Sequence, residues 1–247
     1  MGLKKTVSVL AGLLLATVAC KAVAGGTCPS PQEVQDNVKK TFNRTVKVEQ
    51  VKSSVVDGLC EAIVTLNGQK RVLYTDRKGL FIINGQIFSV KDRTNITRST
   101  IQELNRFTQA QLKVLDNLVA FEKGDGKTLY FVTDPMCPYC KKAERILEEL
   151  MNQGKIRVKF LLFPLRFHKG AKEQCISIIC DKKGLDGLKT QYRSNNQCEA
   201  GKKQVEDTIK FLQQKGITGT PTYIFMDGRY HSGVMKKEAL LRRLGIE

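Results

Sequence analysis

Cys137-Pro138-Tyr139-Cys140 sets two thiols three residues apart, a spacing that supports dithiol redox exchange when it falls where a strand passes into a helix. The flanking residues meet that condition. Thr128 to Thr133 reads as a strand, and Cys137 to Asn152 as a helix with Ala143, Ile146, Leu147, Leu150 and Met151 on one stripe, stopped at Gly154. In the first turn the two cysteines lie on one side, close enough to bridge, with Cys137 exposed and Cys140 folded inward. The unpaired amides and positive end of the helix dipole favour an anionic sulfur at Cys137, which makes it the nucleophile; Cys140 then releases the captured partner. Pro138 stiffens the loop at a position where its missing N–H costs nothing.

A second candidate is Thr220-Pro221, after Gly216-Ile217-Thr218-Gly219 and before a strand. A cis bond there would expose the Thr220 backbone beside Cys137, free to pair with an extended substrate segment. Competing readings are weaker. A zinc site needs a second ligand pair, yet Cys175 and Cys180 are separated by four residues and His168 and His231 lack ligand spacing, so neither metal nor organic cofactor is expected. A purely structural bridge within the motif would be too strained to serve as a staple. Asp134 is a proton-acceptor candidate for Cys140, although acids just before a helix more often bond backbone amides. His168 and His231 read as surface or strand residues.

These residues need a scaffold. Ile156 to Phe163 is a second strand without polar alternation, hence buried on both faces, and the strand–helix–strand order implies a right-handed crossover. Helical patterns follow at Lys169 to Lys183 and Lys202 to Lys215, then a strand from Thr222 to Met226, the turn Asp227-Gly228, a short strand from Tyr230 to Gly233 and a helix from Lys236 to Leu244. That order is thioredoxin-like. Upstream, a helix is expected from Pro31 to Phe42, then short strands at Val46 to Val48, Cys60 to Val64 and Val72 to Tyr74, with turns at Gly58 and Asn67-Gly68. Asn84-Gly85, between Leu80 to Ile83 and Gln86 to Val90, predicts a type I′ hairpin. A unit this small buries little surface alone, so self-association would complete its core. Between the two units one helix is expected from Ile101 to Phe121, opened by a Thr100/Glu103 capping box, ending at Gly124-Asp125-Gly126 and serving as a connector.

The 247 residues are 41% hydrophobic and 26% charged, which excludes disordered and fibrous classes. Lys4 and Lys5 precede an apolar run from Val7 to Ala19 and the triplet Ala22-Val23-Ala24, the pattern of a secretory signal peptide cleaved after Ala24; lipidation at Cys20 is the rival reading. Cleavage removes three lysines and no acid, lowering the formal charge from +17 to +14. The basic residues are spread along the chain without a basic-aromatic motif, so no nucleic-acid partner is expected. Export to an oxidising compartment makes the seven remaining cysteines candidates for bridges and redox thiols, with at least one unpaired.

Phe131-Val132-Thr133-Asp134-Pro135-Met136-Cys137-Pro138-Tyr139-Cys140, taken with Gly219-Thr220-Pro221, resembles the periplasmic DsbC/DsbG protein disulfide isomerases. Val72-Leu73-Tyr74-Thr75-Asp76 and Gly79 to Val90 resemble that family's N-terminal dimerisation domain. The resemblance implies a signal peptide at 1–24, an α+β dimerisation domain with a small cystatin-like sheet at 25–97, a linker helix at 98–124, and an α/β thioredoxin-like catalytic domain with a helical insertion at 125–247. It implies Cys137 and Cys140 as the redox pair, Pro138, Tyr139, Thr220 and a cis Pro221 as the substrate-binding surface, and Cys180 with Cys198 as a structural bridge. The dithiol is more like that of the DsbG branch, the Gly219-Thr220-Pro221 and Cys180/Cys198 features more like DsbC. Cys28, Cys60 and Cys175 are expected of neither branch; a Cys28–Cys60 bridge would staple the small unit and leave Cys175 as a buried odd thiol, with a bridge from Cys175 to either partner as the alternative. The implied activity is reduction or isomerisation of incorrect disulfides in misoxidised or unfolded secreted proteins, by a homodimer kept reduced by a DsbD-like membrane thiol reductant. A net dithiol oxidase and a chaperone-like holder of unfolded chains are the alternatives.

Overall fold

Residues 27–246 are described by a computed structural model. The leader expected at 1–24 and Cys20 lie outside the described residues. Among the described residues no helix is long and apolar enough to cross a membrane.

The chain opens with α1 (Pro31–Phe42), capped by Ser30 in a reciprocal capping box with Glu33 and carrying Pro31 in its first turn. Its Val34 and Val38 pack on Val46, which leads into the sheet, and on Val48, Ala62 and Val64 of an antiparallel sheet in sequential order, β1 (Lys47–Ser53), β2 (Leu59–Leu66), β3 (Gln69–Asp76) and β4 (Ile82–Ile83). Cys60 on β2 is joined to Cys28 just before α1, tying helix to sheet.

The hairpin expected at Asn84-Gly85 does not form. The short β4 pairs with β3, while β5 (Phe88–Ser89) pairs with β6 (Thr94–Asn95). A type I′ turn needs positive φ at both central residues; Asn67 and Gly68 have it, at 51° and 76°, and join β2 to β3, whereas neither Asn84 nor Gly85 does.

The single linker helix is also replaced. The segment divides into α2 (Ile96–Leu104), which starts at the Asn95 cap rather than at Thr100, and α3 (Gln109–Asp116), capped by Thr108 with Gln111. Asn105 makes the break: its Nδ2 donates to the Ile101 carbonyl at 2.8 Å, while its side chain also bonds both backbone polar groups of Lys70 on β3. Glu103 pairs with Arg106 and Arg229 instead of closing a capping box. Phe121, expected at the helix end, begins a strand, β7 (Phe121–Gly124).

That strand is the edge of a five-stranded sheet of order β11-β10-β8-β9-β7, built from β8 (Lys127–Thr133), β9 (Ile156–Leu162), β10 (Thr222–Phe225) and β11 (Tyr230–Ser232). β8 and β9 run parallel, joined by α4 (Pro138–Asn152), and β10 is antiparallel to β8. After β9 come α5 (Ala171–Cys180), α6 (Gly184–Thr190), which the sequence pattern does not announce, and α7 (Glu199–Gln214); α8 (Lys237–Leu244) closes the chain. A Cys180–Cys198 disulfide ties the end of α5 to the cap of α7. Gly201 belongs there because a Cβ would meet the Cys180 sulfur at 2.6 Å. Leu129, Phe131, Leu147, Val158, Phe160 and Tyr223 fill the core between α4 and the sheet.

Breaking the N-terminal staple in a Cys28→Ala/Cys60→Ala variant should destabilise that unit by about 3–4 kcal/mol, the loop-closure value for a separation of 32 residues. Hydrogen exchange of the β2 and β3 amides as a function of urea reads this directly. Unchanged protection would mean that the sheet does not depend on the bridge.

Candidate active site

β8 is buried at every position from Leu129 to Thr133, and its last residue delivers the chain to the loop Asp134-Pro135-Met136. Cys137 is the N-cap of α4, with no side-chain cap of its own, and Pro138 occupies the first turn. The Cys137 amide donates to the Asp134 carbonyl at 3.1 Å and the Lys141 amide to the Cys137 carbonyl at 3.2 Å, so the turn is closed by its own backbone.

Both thiols are unbridged. Cys140 lies fully inside the helix–sheet interface, as expected, but Cys137 is only 3% exposed rather than open to solvent. Its Sγ faces the Thr220 carbonyl at 3.7 Å, and the loop carrying that residue closes over the sulfur. The Thr220–Pro221 peptide is cis. Within the motif Pro138 and Tyr139 are exposed, Tyr139 at 67%. Phe167, packed edge-on against His168, stands 74% exposed, and Arg193 reaches the Met136 sulfur.

Burial pushes the Cys140 thiol well above its ordinary value; Thr220 and Thr133 lie against it, as do the Asp134 backbone and Cys137. Thr220 Oγ1 is itself buried without a hydrogen-bond partner among the described residues. Thr133, fully buried, donates its hydroxyl to Glu144 Oε1 at 2.6 Å. Glu144 is 7% exposed on the inner face of α4, and desolvation raises its carboxyl. Lys141 opposes that rise, while Asp134 and Glu148 add to it.

Asp134 is fully buried and fully used. Oδ1 accepts the Met136 amide at 2.7 Å, and Oδ2 accepts the Leu165 amide at 2.6 Å and meets His168 Nδ1 at 2.8 Å. Of its two sequence readings, the structure matches the backbone-amide one and adds the imidazole. His168 is therefore no free surface residue: its ring is three-quarters covered or more, at 18% side-chain exposure, and holds the loop after β9 against the dithiol. His231 lies half-buried on β11, against the ring of Tyr223, and burial lowers its pKa. Cys175 is unpaired among the described residues and fully buried in the main core, its thiol pushed up by desolvation.

Sequence reasoning passed over Thr133 and Glu144. The signal was present: Cys140, Glu144, Leu147 and Met151 are spaced four, three and four apart, so a glutamate interrupts the apolar stripe one turn after the second thiol.

Comparisons with known proteins match both halves. The family described as a thioredoxin-like domain matches residues 116–245, and the family described as the disulfide bond isomerase protein N-terminal domain matches residues 25–98. The chain is similar to a probable thiol:disulfide interchange protein DsbC from Bordetella avium, 26% identical over 87% of this chain and 76% of that protein. A protein of the same description from Bordetella parapertussis is 29% identical over 70% of this chain, a match that spans 61% of the relative's length. Among solved structures, a disulfide interchange protein from Neisseria gonorrhoeae aligns with 51% of this chain and 95% of its own at 24% identity and a TM-score of 0.43.

Asp134→Ala leaves two buried amides and an imidazole without their acceptor. Each hydrogen bond to a charged group is worth about 1.5–3 kcal/mol, so the variant should lose on the order of 3 kcal/mol, read as a fall of roughly 6–12 °C in Tm. A fall below about 2 °C in thermal unfolding would show that the loops on either side of the dithiol hold without it.

Proposed function

The chain belongs to the DsbC/DsbG family of thiol:disulfide interchange proteins, on the thioredoxin-like fold, and from that premise we propose that it corrects wrong disulfides in exported proteins through Cys137 and Cys140. The observation that carries this reading is the placement of Cys137: the cap of α4, backed by open helix amides, with its sulfur against the Thr220 carbonyl of the cis-Pro loop.

Cys137 caps α4 with no side-chain cap bond of its own, so its sulfur stands at the open amides of the first turn. The Cys137 thiolate attacks one sulfur of a substrate disulfide and the other sulfur leaves, giving a mixed disulfide between Cys137 and the substrate. Either the freed substrate thiolate attacks another of its own bridges and returns Cys137, which is isomerisation, or Cys140 attacks Cys137 and releases reduced substrate. The Thr220 backbone, once the loop yields its contact with Cys137, pairs with the extended segment that carries the substrate cysteine. Tyr139, Pro138 and Phe167 supply an apolar rim that suits unfolded chains.

The N-terminal unit joins two copies. Support comes from its surface: Leu80 and Phe81 are 71% and 68% exposed, and Ile83, Phe88 and Val90 also face outward along the same segment. An apolar strip of this kind on a small domain marks an interaction surface. Pairing would set two Cys137 sites around one cleft and shield them from oxidants. The compartment is the periplasm, and a membrane thiol reductant returns the oxidised dithiol to its working state.

Two measurements test the reading. Reactivation of a scrambled multi-disulfide protein should fall to the uncatalysed rate in Cys137→Ala, while Cys140→Ala keeps part of the activity and accumulates mixed disulfides; rescue that survives Cys137→Ala, or no rescue with rapid oxidation of reduced substrate, would overturn it. Sedimentation at micromolar concentration should give a dimer that a Leu80→Glu/Phe81→Glu variant converts to monomer. A monomeric wild type would remove the shared cleft.

A further inference from the structure

Cys140 poses a chemical problem. To attack Cys137 it must lose its proton, yet the thiol is fully buried. A base is therefore needed inside the protein.

Glu144 is placed to be that base. It lies one turn beyond Cys140 on the same face of α4, the spacing at which side chains meet on a helix. Thr133, at the end of β8, lies against the Cys140 thiol on one side and donates to Glu144 Oε1 at 2.6 Å on the other. A hydroxyl has one proton and two lone pairs. With its proton committed to Glu144, Thr133 Oγ1 retains lone pairs to accept the Cys140 S–H. A glutamate between Ala143 and Leu147, with a carboxylate that accepts its hydrogen bond from Thr133 alone among the described residues, does nothing for packing that a leucine would not do better.

We propose that Glu144, acting through the Thr133 hydroxyl, accepts the proton of Cys140 during resolution and returns it when the dithiol is regenerated. The inference rests on the reading of Cys140 as the resolving thiol. In the forward step the Cys140 proton passes to Thr133 Oγ1 as the Thr133 proton passes to Glu144 Oε1. The Cys140 sulfur, left with the electron pair, attacks Cys137; the Cys137–Cys140 bond forms as the bond from Cys137 to the substrate sulfur breaks. That sulfur leaves as a thiolate and takes a proton from water, so the substrate is reduced and the dithiol oxidised. Neither Thr133 nor Glu144 touches the substrate: Thr133 contacts the reacting thiol, and Glu144 is a positioning residue for its proton.

The electrostatic setting is consistent with this role. Burial raises the Glu144 carboxyl, Asp134 from the preceding loop and Glu148 on the same helix add to the rise, and the Thr133 hydrogen bond and Lys141 limit it. From the sheet side Tyr223 faces both Cys140 and Glu144 as a neutral phenol, its ionisation pushed up to about 12. Resolution should therefore slow as Glu144 takes up a proton on the acid side.

The two chemical steps can be read separately by stopped flow. Mixing the reduced full-length protein with excess dithiobis(nitrobenzoate) releases one coloured thiolate when Cys137 attacks and a second when Cys140 resolves. Glu144→Gln should leave the first phase within about twofold of wild type, slow the second about a hundredfold near neutral pH, in the range of general-base catalysis, and abolish its acid limb so that the rate follows hydroxide. Thr133→Val should slow the second phase likewise, and Thr133→Ser should recover it. An unchanged second phase and pH profile in Glu144→Gln overturns the relay, as does equal slowing of both phases, which marks a structural role. A wild type that releases only one thiolate removes the resolving role of Cys140, and the relay with it.

Discussion

The constraint around which the thioredoxin-like unit is arranged is the burial of a thiol that the proposed exchange requires to ionise. Cys140 is held in the helix–sheet interface because α4 lays its apolar stripe on β8 and β10, and the second cysteine of the motif falls on that stripe. Removal from water makes the thiolate costly. Cys137, one turn earlier, is nearly as buried at 3% exposure, but it caps the open end of the helix and its sulfur meets the Thr220 carbonyl. Two identical side chains three residues apart thus have different surroundings, which on the proposed function suit one to attack and the other to late release.

The surrounding structure keeps that difference in place. Asp134 draws the loop before α4 and the loop after β9 onto one carboxylate, which fixes the backbone that caps the helix. The cis-Pro loop, anchored through Thr222 to Gly219 and Ser232, brings the Thr220 carbonyl to the sulfur. The Cys180–Cys198 bridge fastens the helical insertion at a distance, at a point where Gly201 leaves room for sulfur and for nothing larger. The N-terminal sheet meets the catalytic unit through Gln69, whose amide donates to the Gly216 carbonyl and the Tyr230 hydroxyl.

What is legible in the sequence follows from short-range rules. The motif at the strand–helix junction, the parallel strands around α4 and the stripe of α4 depend on periodicity within a dozen residues, and they lie in the structure where the pattern places them. The exceptions each involve a distant partner. The helix expected from 101 to 121 breaks because Asn105 bonds Lys70, 35 residues upstream. The Asn84-Gly85 turn loses to pairing of its flanks with β3 and β6. Cys137 is covered by a loop 83 residues away, and His168 is drawn in by Asp134 across 34. Glu144 was overlooked for a different reason: a charged residue on a helix is ordinarily a solvated one, and only the exact face on which it falls marks it as buried.

The central claim is that Cys137 is the sulfur that takes the substrate. Its most direct test is to incubate the Cys140→Ala protein with a scrambled disulfide substrate, quench with acid, and map the cross-linked species by non-reducing peptide mass analysis. A mixed disulfide joining Cys137 to a substrate cysteine, with Cys28–Cys60 and Cys180–Cys198 intact and Cys175 free, is the predicted result. Substrate linked to Cys175 or to a bridge cysteine, or no covalent complex at all, would contradict it.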